Sequence, residues 1–139
     1  MNAQPLVTSP VAPEPSPETG ADALYAVGYR LLDNEHVTDA ANVFRVLLRA
    51  APTDERGWLA LGRCHERVDQ WRIALELYAA GAIAAEPSAR CHLARARVLR
   101  VLGDTAAAEE AIEAAAVCAE GTDDYDLIEL IGAEGQVRR

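Results

Sequence analysis

From residue 22 onward, apolar side chains recur at helical spacing. Leu24, Val27, Gly28 and Leu31 fall at i, i+3, i+4 and i+7, one face of a 3.6-residue turn. They predict a first helix from about Asp22 to Asn34 with that face turned inward. The shift that carries Leu24 onto Trp58 also lays Val27, Gly28 and Leu31 on Leu61, Gly62 and His65, and lays Ala40 and Phe44 on Ala74 and Tyr78. The same shift made once more reaches His92, Arg95, Ala96, Leu99, Ala108 and Ile112, a weaker apolar pattern in which Gly103 still marks the turn between two helical runs. The period predicts three helical hairpins, over residues 21–54, 55–88 and 89–121. Pro52 and Pro87 end the first two, because proline cannot continue a helix.

Beyond the third hairpin, Gly121 to Asp124 read as a break with an N-cap. Tyr125, Leu127, Ile128 and Ile131 supply one more short apolar face, a capping helix over about 123–132. A stack of repeats needs such a cap, since its last unit otherwise exposes the face meant for a neighbour. At the other end, five of the seven prolines lie in Met1 to Gly20. That composition cannot propagate a helix or bury a core, so residues 1–20 are expected to be a disordered tail and 21–139 the folded domain.

Composition adds helix and subtracts several functions. Half of the residues are hydrophobic but only 5% are aromatic, and much of the apolar share is alanine, the best helix former. The formal net charge is −9, and all thirteen basic residues are arginines. A protein this acidic repels phosphate on average, so nucleic acid is not an expected partner. No run of about eighteen apolar residues and no signal-peptide pattern occurs, so membrane insertion is not expected and the location is expected to be cytoplasmic. Cys64, Cys91 and Cys118 are an odd set without framework spacing, which suits buried thiols in a reducing compartment.

The middle unit reads Trp58-x2-Leu61-Gly62-x2-His65, then Ala74-x3-Tyr78, then Pro87. It resembles the tetratricopeptide repeat, W-x2-L-G-x2-Y, A-x3-F and Pro in a period of about 34 residues, with His in place of Tyr. Gly28, Gly62, Ala40, Ala74 and Ala108 leave room where the two helices of a hairpin cross, and large residues fill the space beside them. The resemblance implies an all-α fold, a right-handed superhelical array of three hairpins with a C-terminal capping helix.

A narrower resemblance rests on Leu61-Gly62-Arg63-Cys64, on Gln70 to Ala82 with its Trp71, Ala74, Tyr78 and Gly81-Ala82, and on Pro87 and His92-Leu93-Ala94. These residues are similar to those of the tetratricopeptide (class II) chaperones of type III secretion systems, the translocator-binding kind, over roughly Ala23 to Ile131. What that implies is a small cytoplasmic chaperone, often a homodimer, that grips an extended segment of a hydrophobic secreted translocator, such as its N-terminal segment, and keeps it soluble and secretion-competent. The alternative is a generic tetratricopeptide adaptor that binds a short motif of another complex.

In stacked hairpins the first helix of each repeat lines the concave wall. With Leu24, Val27, Gly28 and Leu31 packed inward, Tyr25, Tyr29 and Leu32 lie about 100° further round the helix. Advancing by one period gives Leu59, Arg63 and Arg67, and by another Leu93, Arg97 and Arg100. These nine residues are the expected peptide-binding wall. Leucine and tyrosine rungs suit aliphatic side chains, and arginine rungs suit backbone carbonyls or carboxylates. The same arginines are also explained as surface ion pairs with the many carboxylates, each worth about 0–1 kcal/mol.

Cys64-His65 and Cys91-His92 invite a zinc reading, but neither pair has the two-to-four-residue gap that lets two ligands from one turn reach a metal. His36, His65 and His92 have no nucleophile motif near them, and no glycine-rich phosphate loop occurs. No metal, cofactor or catalytic residue is expected, and the protein is not expected to be an enzyme.

Overall fold

Seven helices follow one another along residues 17–136, the part of the chain that the computed structural model describes. They are α1 (Pro17–Asp33), α2 (Val37–Ala50), α3 (Glu55–Arg67), α4 (Trp71–Ala84), α5 (Ala89–Val101), α6 (Thr105–Cys118) and α7 (Tyr125–Gln136). Within the described residues there is no strand. Helices pack in sequential pairs, α1 on α2, α3 on α4 and α5 on α6. The pairs stack so that α1, α3, α5 and α7 also touch in turn. The all-α array of three hairpins and a capping helix is therefore the observed architecture.

Two boundaries differ from expectation. Most of the proline-rich tail, residues 1–16, lies outside the described residues. Its last four, 17–20, are the first turn of α1, where a proline at the first helical position loses no hydrogen bond. The capping helix runs on to Gln136, past the expected end near 132.

The three hairpins turn by one device. Glu35, Asp69 and Gly103 lie one period apart and all have left-handed φ, 65°, 60° and 84°. In each turn this residue donates its N–H to the carbonyl three back, and the next residue donates to the carbonyl five back: Glu35 to Leu32 and His36 to Leu31, Asp69 to Glu66 and Gln70 to His65, Gly103 to Arg100 and Asp104 to Leu99. This is a Schellman closure, which satisfies two of the carbonyls that a helix end leaves open. At the starts of α3, α5, α6 and α7, Asp54, Ser88, Asp104 and Asp124 accept from the backbone N–H of Arg56, Cys91, Ala107 and Leu127. Each cap is worth about 1 kcal/mol.

Helix pairs approach closely where the repeat has glycine. A Cβ on Gly28 would stand 2.3 Å from the ring of Phe44, and one on Gly62 2.2 Å from the ring of Tyr78. Phe44 and Tyr78 are accordingly buried. The third hairpin meets the same crossing with Ala96 and the smaller Ile112. Gly81 of α4 makes room both within its own hairpin, against Trp58 of α3, and toward the next, against the thiol of Cys91 on α5. At the C-terminal end Leu127 of α7 closes the apolar face made by Ala89, Leu93, Ala115 and Ala119.

Candidate peptide-binding groove

The concave face holds a groove of about 480 Å³, walled by α1, α3, α5 and α7 and floored in part by α4. Six of the nine residues expected there line it: Tyr25, Tyr29, Leu59, Arg63, Leu93 and Arg97. Three do not. Leu32 is 1% exposed inside the first hairpin. The stripe of α1 that packs runs through Ala21, Gly28 and Leu32, while Val27, expected to face inward, is 45% exposed. Arg67 lies exposed in the last turn of α3, outside the groove. Arg100 is turned to α7, where it donates to a side-chain oxygen and to the backbone carbonyl of Glu134.

Five lining residues were not among those expected: Glu55, Arg56, Tyr78, Arg90 and Leu130. Arg56 and Arg90 were readable from the period. They sit one helical turn before Leu59 and Leu93, on the stripe that continues to Arg63 and Arg97, and they are themselves one period apart. Tyr78 was read as a packing residue, and its ring is one. Its hydroxyl emerges in the groove and donates to the carboxylate of Glu66.

Along the α1 wall, the rings of Tyr25 and Tyr29 meet at a tilt of 56° with centroids 4.8 Å apart, and Tyr29 meets Phe44 edge-on at 5.3 Å. The Arg56 guanidinium lies 5.0 Å from the centroid of the Tyr25 ring and forms ion pairs at 2.8 Å with Asp22 and with Asp54. The hydrogen bond from Arg56 holds the Asp54 carboxyl below the usual carboxylate range. Arg90 pairs with Asp124 at 2.8 Å, and that bond likewise lowers the Asp124 carboxyl. Burial, together with its neighbour Tyr25, raises the Tyr29 hydroxyl. Burial and the bond to Glu66 push Tyr78 above the ordinary phenol range. Tyr29 and Tyr78 thus stay neutral hydrogen-bonding groups across physiological pH.

Ion pairs follow the period as well. Asp22 and Arg56, Arg90 and Asp124, and Arg100 and Glu134 are each one period apart, the same place on neighbouring hairpins. Glu55 accepts from the hydroxyl of Ser88 at 2.9 Å, a residue with no exposed surface. These contacts bridge α1 to α3, α3 to α5 and α5 to α7, the helices that wall the groove.

Cys64 and Cys91 are buried, and burial lifts each thiol to about 11. His65 hydrogen-bonds Gln70, and His92 hydrogen-bonds Arg95. Burial, followed by the charge of Arg95, lowers the His92 imidazole. Among the described residues no cluster of three or more His, Cys, Asp or Glu is placed to hold a metal ion, and no helix is long and apolar enough to cross a membrane.

The fold is that of a tetratricopeptide array, and within that class it is the fold of the translocator chaperones of type III secretion. The structure is similar to the translocator chaperone SycD of Yersinia enterocolitica, with a TM-score of 0.77 at 24% identity over 88% of this chain and 90% of that one. It is similar to PcrH of Pseudomonas aeruginosa, with a TM-score of 0.76 at 26% identity over 87% and 92%. It is also similar to PcrH in complex with the chaperone binding region of PopB, with a TM-score of 0.73 at 27% identity over 84% and 95%. No protein-family model and no curated protein sequence matches the chain.

Proposed function

We propose that this protein is a cytoplasmic chaperone that binds an extended segment of a type III secretion translocator, or of a related exported protein, in its concave groove. It holds that client soluble and secretion-competent. The observation that carries the reading is the groove itself: leucine and tyrosine rungs interleaved with arginines on helices held in register by period-spaced ion pairs. It lies on a fold shared with PcrH, which has been solved with the chaperone binding region of PopB. A wall of this composition hides aliphatic side chains from water while leaving donors for the backbone carbonyls of an extended chain. The reading assigns the protein no catalytic step and no cofactor: Tyr29 and Tyr78 stay neutral, and Glu55 accepts from Ser88.

The test is co-expression with the hydrophobic translocator of the same cell. The wild-type chain is expected to keep the translocator in the soluble fraction and to co-purify with it. Tyr25→Asp combined with Leu59→Asp, both half-buried groove positions, is expected to release the client while the helical circular dichroism is unchanged. Undiminished co-purification by a folded double variant sinks the groove assignment. Retention of a soluble, motif-bearing partner in place of the translocator favours a generic adaptor.

A further inference from the structure

The charge of the groove opposes that of the protein. A chain with a formal net charge of −9 lines this one surface with Arg56, Arg63, Arg90 and Arg97 against the single acid Glu55. The arginines are not equivalent. Arg56 is neutralised by Asp22 and Asp54, and Arg90 by Asp124. Arg63 and Arg97 make no ion pair or hydrogen bond among the described residues, and both are exposed. Of the nearby acids, Glu55 accepts from Ser88, and Glu66 accepts from the Tyr78 hydroxyl and forms an ion pair with neither arginine.

Arg63 and Arg97 hold the same place on α3 and α5, helices that touch. Both guanidinium charges act on the Tyr78 hydroxyl, which lines the same groove. One turn toward the N-terminus of each helix stands a leucine, Leu59 and Leu93, so the groove presents an apolar rung followed by a cationic rung. Two unpartnered guanidiniums lining one groove from adjoining helices repel one another. A carboxylate placed between them removes that repulsion and accepts charge-assisted hydrogen bonds from both forks.

Resting on the groove reading above, we infer that the client segment carries an acidic side chain that docks between Arg63 and Arg97, two residues from an aliphatic side chain that docks on the half-buried Leu59, with the largely buried Leu93 behind it. The two-residue interval follows from matching steps. Leucine and arginine rungs are four residues apart, about 6 Å along a helix. Side chains on one face of an extended chain recur every two residues, about 6.8 Å. The acid selects the client, and the aliphatic group supplies the area removed from water.

The experiment uses the full chain and four labelled synthetic peptides in one Ser/Thr host sequence, carrying Leu-x-Asp, Leu-x-Asn, Leu-x-Lys or Ser-x-Asp, with binding read by fluorescence anisotropy at low and high salt. The wild-type chain is expected to bind Leu-x-Asp about tenfold more tightly than Leu-x-Asn, to bind Leu-x-Lys most weakly of the leucine peptides, and to lose part of the Asp preference at high salt. The double variant Arg63→Gln, Arg97→Gln is expected to bind Leu-x-Asp and Leu-x-Asn alike. Arg49→Gln, a change of charge in the last turn of α2, is expected to keep the preference. Equal binding of Leu-x-Asp and Leu-x-Asn by the wild-type chain, with Ser-x-Asp still weaker, overturns the acidic anchor and leaves the groove reading standing. Loss of all dependence on the leucine, or no binding of any peptide, counts against both.

Discussion

Arg100 reaches across from α5 to Glu134 of α7, bonding both the carboxylate and the backbone carbonyl of a residue one full repeat period away. Both side chains are largely buried, at 16% and 19% exposed, unlike the more open pair of Arg56 and Asp22. A buried pair gains little over an apolar replacement, but removing one partner strands the other charge. Glu134→Ala is therefore expected to destabilise the C-terminal end by about 1–3 kcal/mol. Hydrogen exchange checks it: amides of 125–136 should lose protection first, with those of α1 to α4 unchanged. Asp22→Ala, at the exposed pair, is expected to cost no more than about 1 kcal/mol.

The close approach of Gly62 to the Tyr78 ring makes a second expectation sharp. Alanine is a better helix former than glycine by about 1 kcal/mol, so on propensity alone Gly62→Ala would stabilise α3. The overlap with a buried ring has the opposite sign and the larger size, about 1–3 kcal/mol for overpacking. Urea denaturation is expected to show a net loss for Gly62→Ala, and for Gly28→Ala against Phe44. Combining Gly62→Ala with Tyr78→Leu should cost less than the two single changes added together.

The three turns give a graded series. Non-glycine residues in the left-handed region pay about 1–2 kcal/mol, and aspartate tolerates it better than most. Glu35→Gly is thus expected to raise the midpoint of thermal unfolding more than Asp69→Gly does, while Gly103→Ala lowers it. All three backbones already have the required φ, so the helical content should not move.

The buried thiols predict both reactivity and pH dependence. Burial lifts Cys64 and Cys91 from 9.0 to about 11, which cuts their thiolate fraction at pH 8 about 100-fold. Iodoacetamide is expected to label the half-exposed Cys118 first and to reach Cys64 and Cys91 only on unfolding. A folded-state value raised above the unfolded one means that the native protein holds these protons more tightly. The stability they contribute is then fully present below pH 9 and is lost as pH rises from 9 toward 11. Chemical denaturation across that window should show the fall, and Cys64→Ala should flatten part of it.

The array was legible in the sequence because a repeat states its packing rule several times. Gly28 with Phe44 and Gly62 with Tyr78 are the same contact made in successive hairpins, and the fainter third unit follows from the first two. The wall was legible wherever helical phase alone decides, as at Leu59, Arg63, Leu93 and Arg97. It failed at Leu32, because α1 takes its phase from close approach at the small residues Ala21 and Gly28, and small residues contribute little to a hydrophobic pattern. It failed at Arg100 for another reason. The partner that turns this side chain away is Glu134, beyond the expected end of the capping helix. Tyr78 does two jobs with one side chain, and a packing motif announces only the first.

The turns at Glu35, Asp69 and Gly103 have one further meaning. Since each closes through the same pair of backbone hydrogen bonds, the three hinges differ in the strain of one residue but share one geometry, and that geometry does not count how many hairpins there are. The number of rungs is set at the far end, where Leu127 seals the face of the third hairpin and the carboxylates of Asp124 and Glu134 take up Arg90 and Arg100. Among the described residues the molecule is modular along its length, and the helix that closes the third hairpin, α7, bounds the groove at that end.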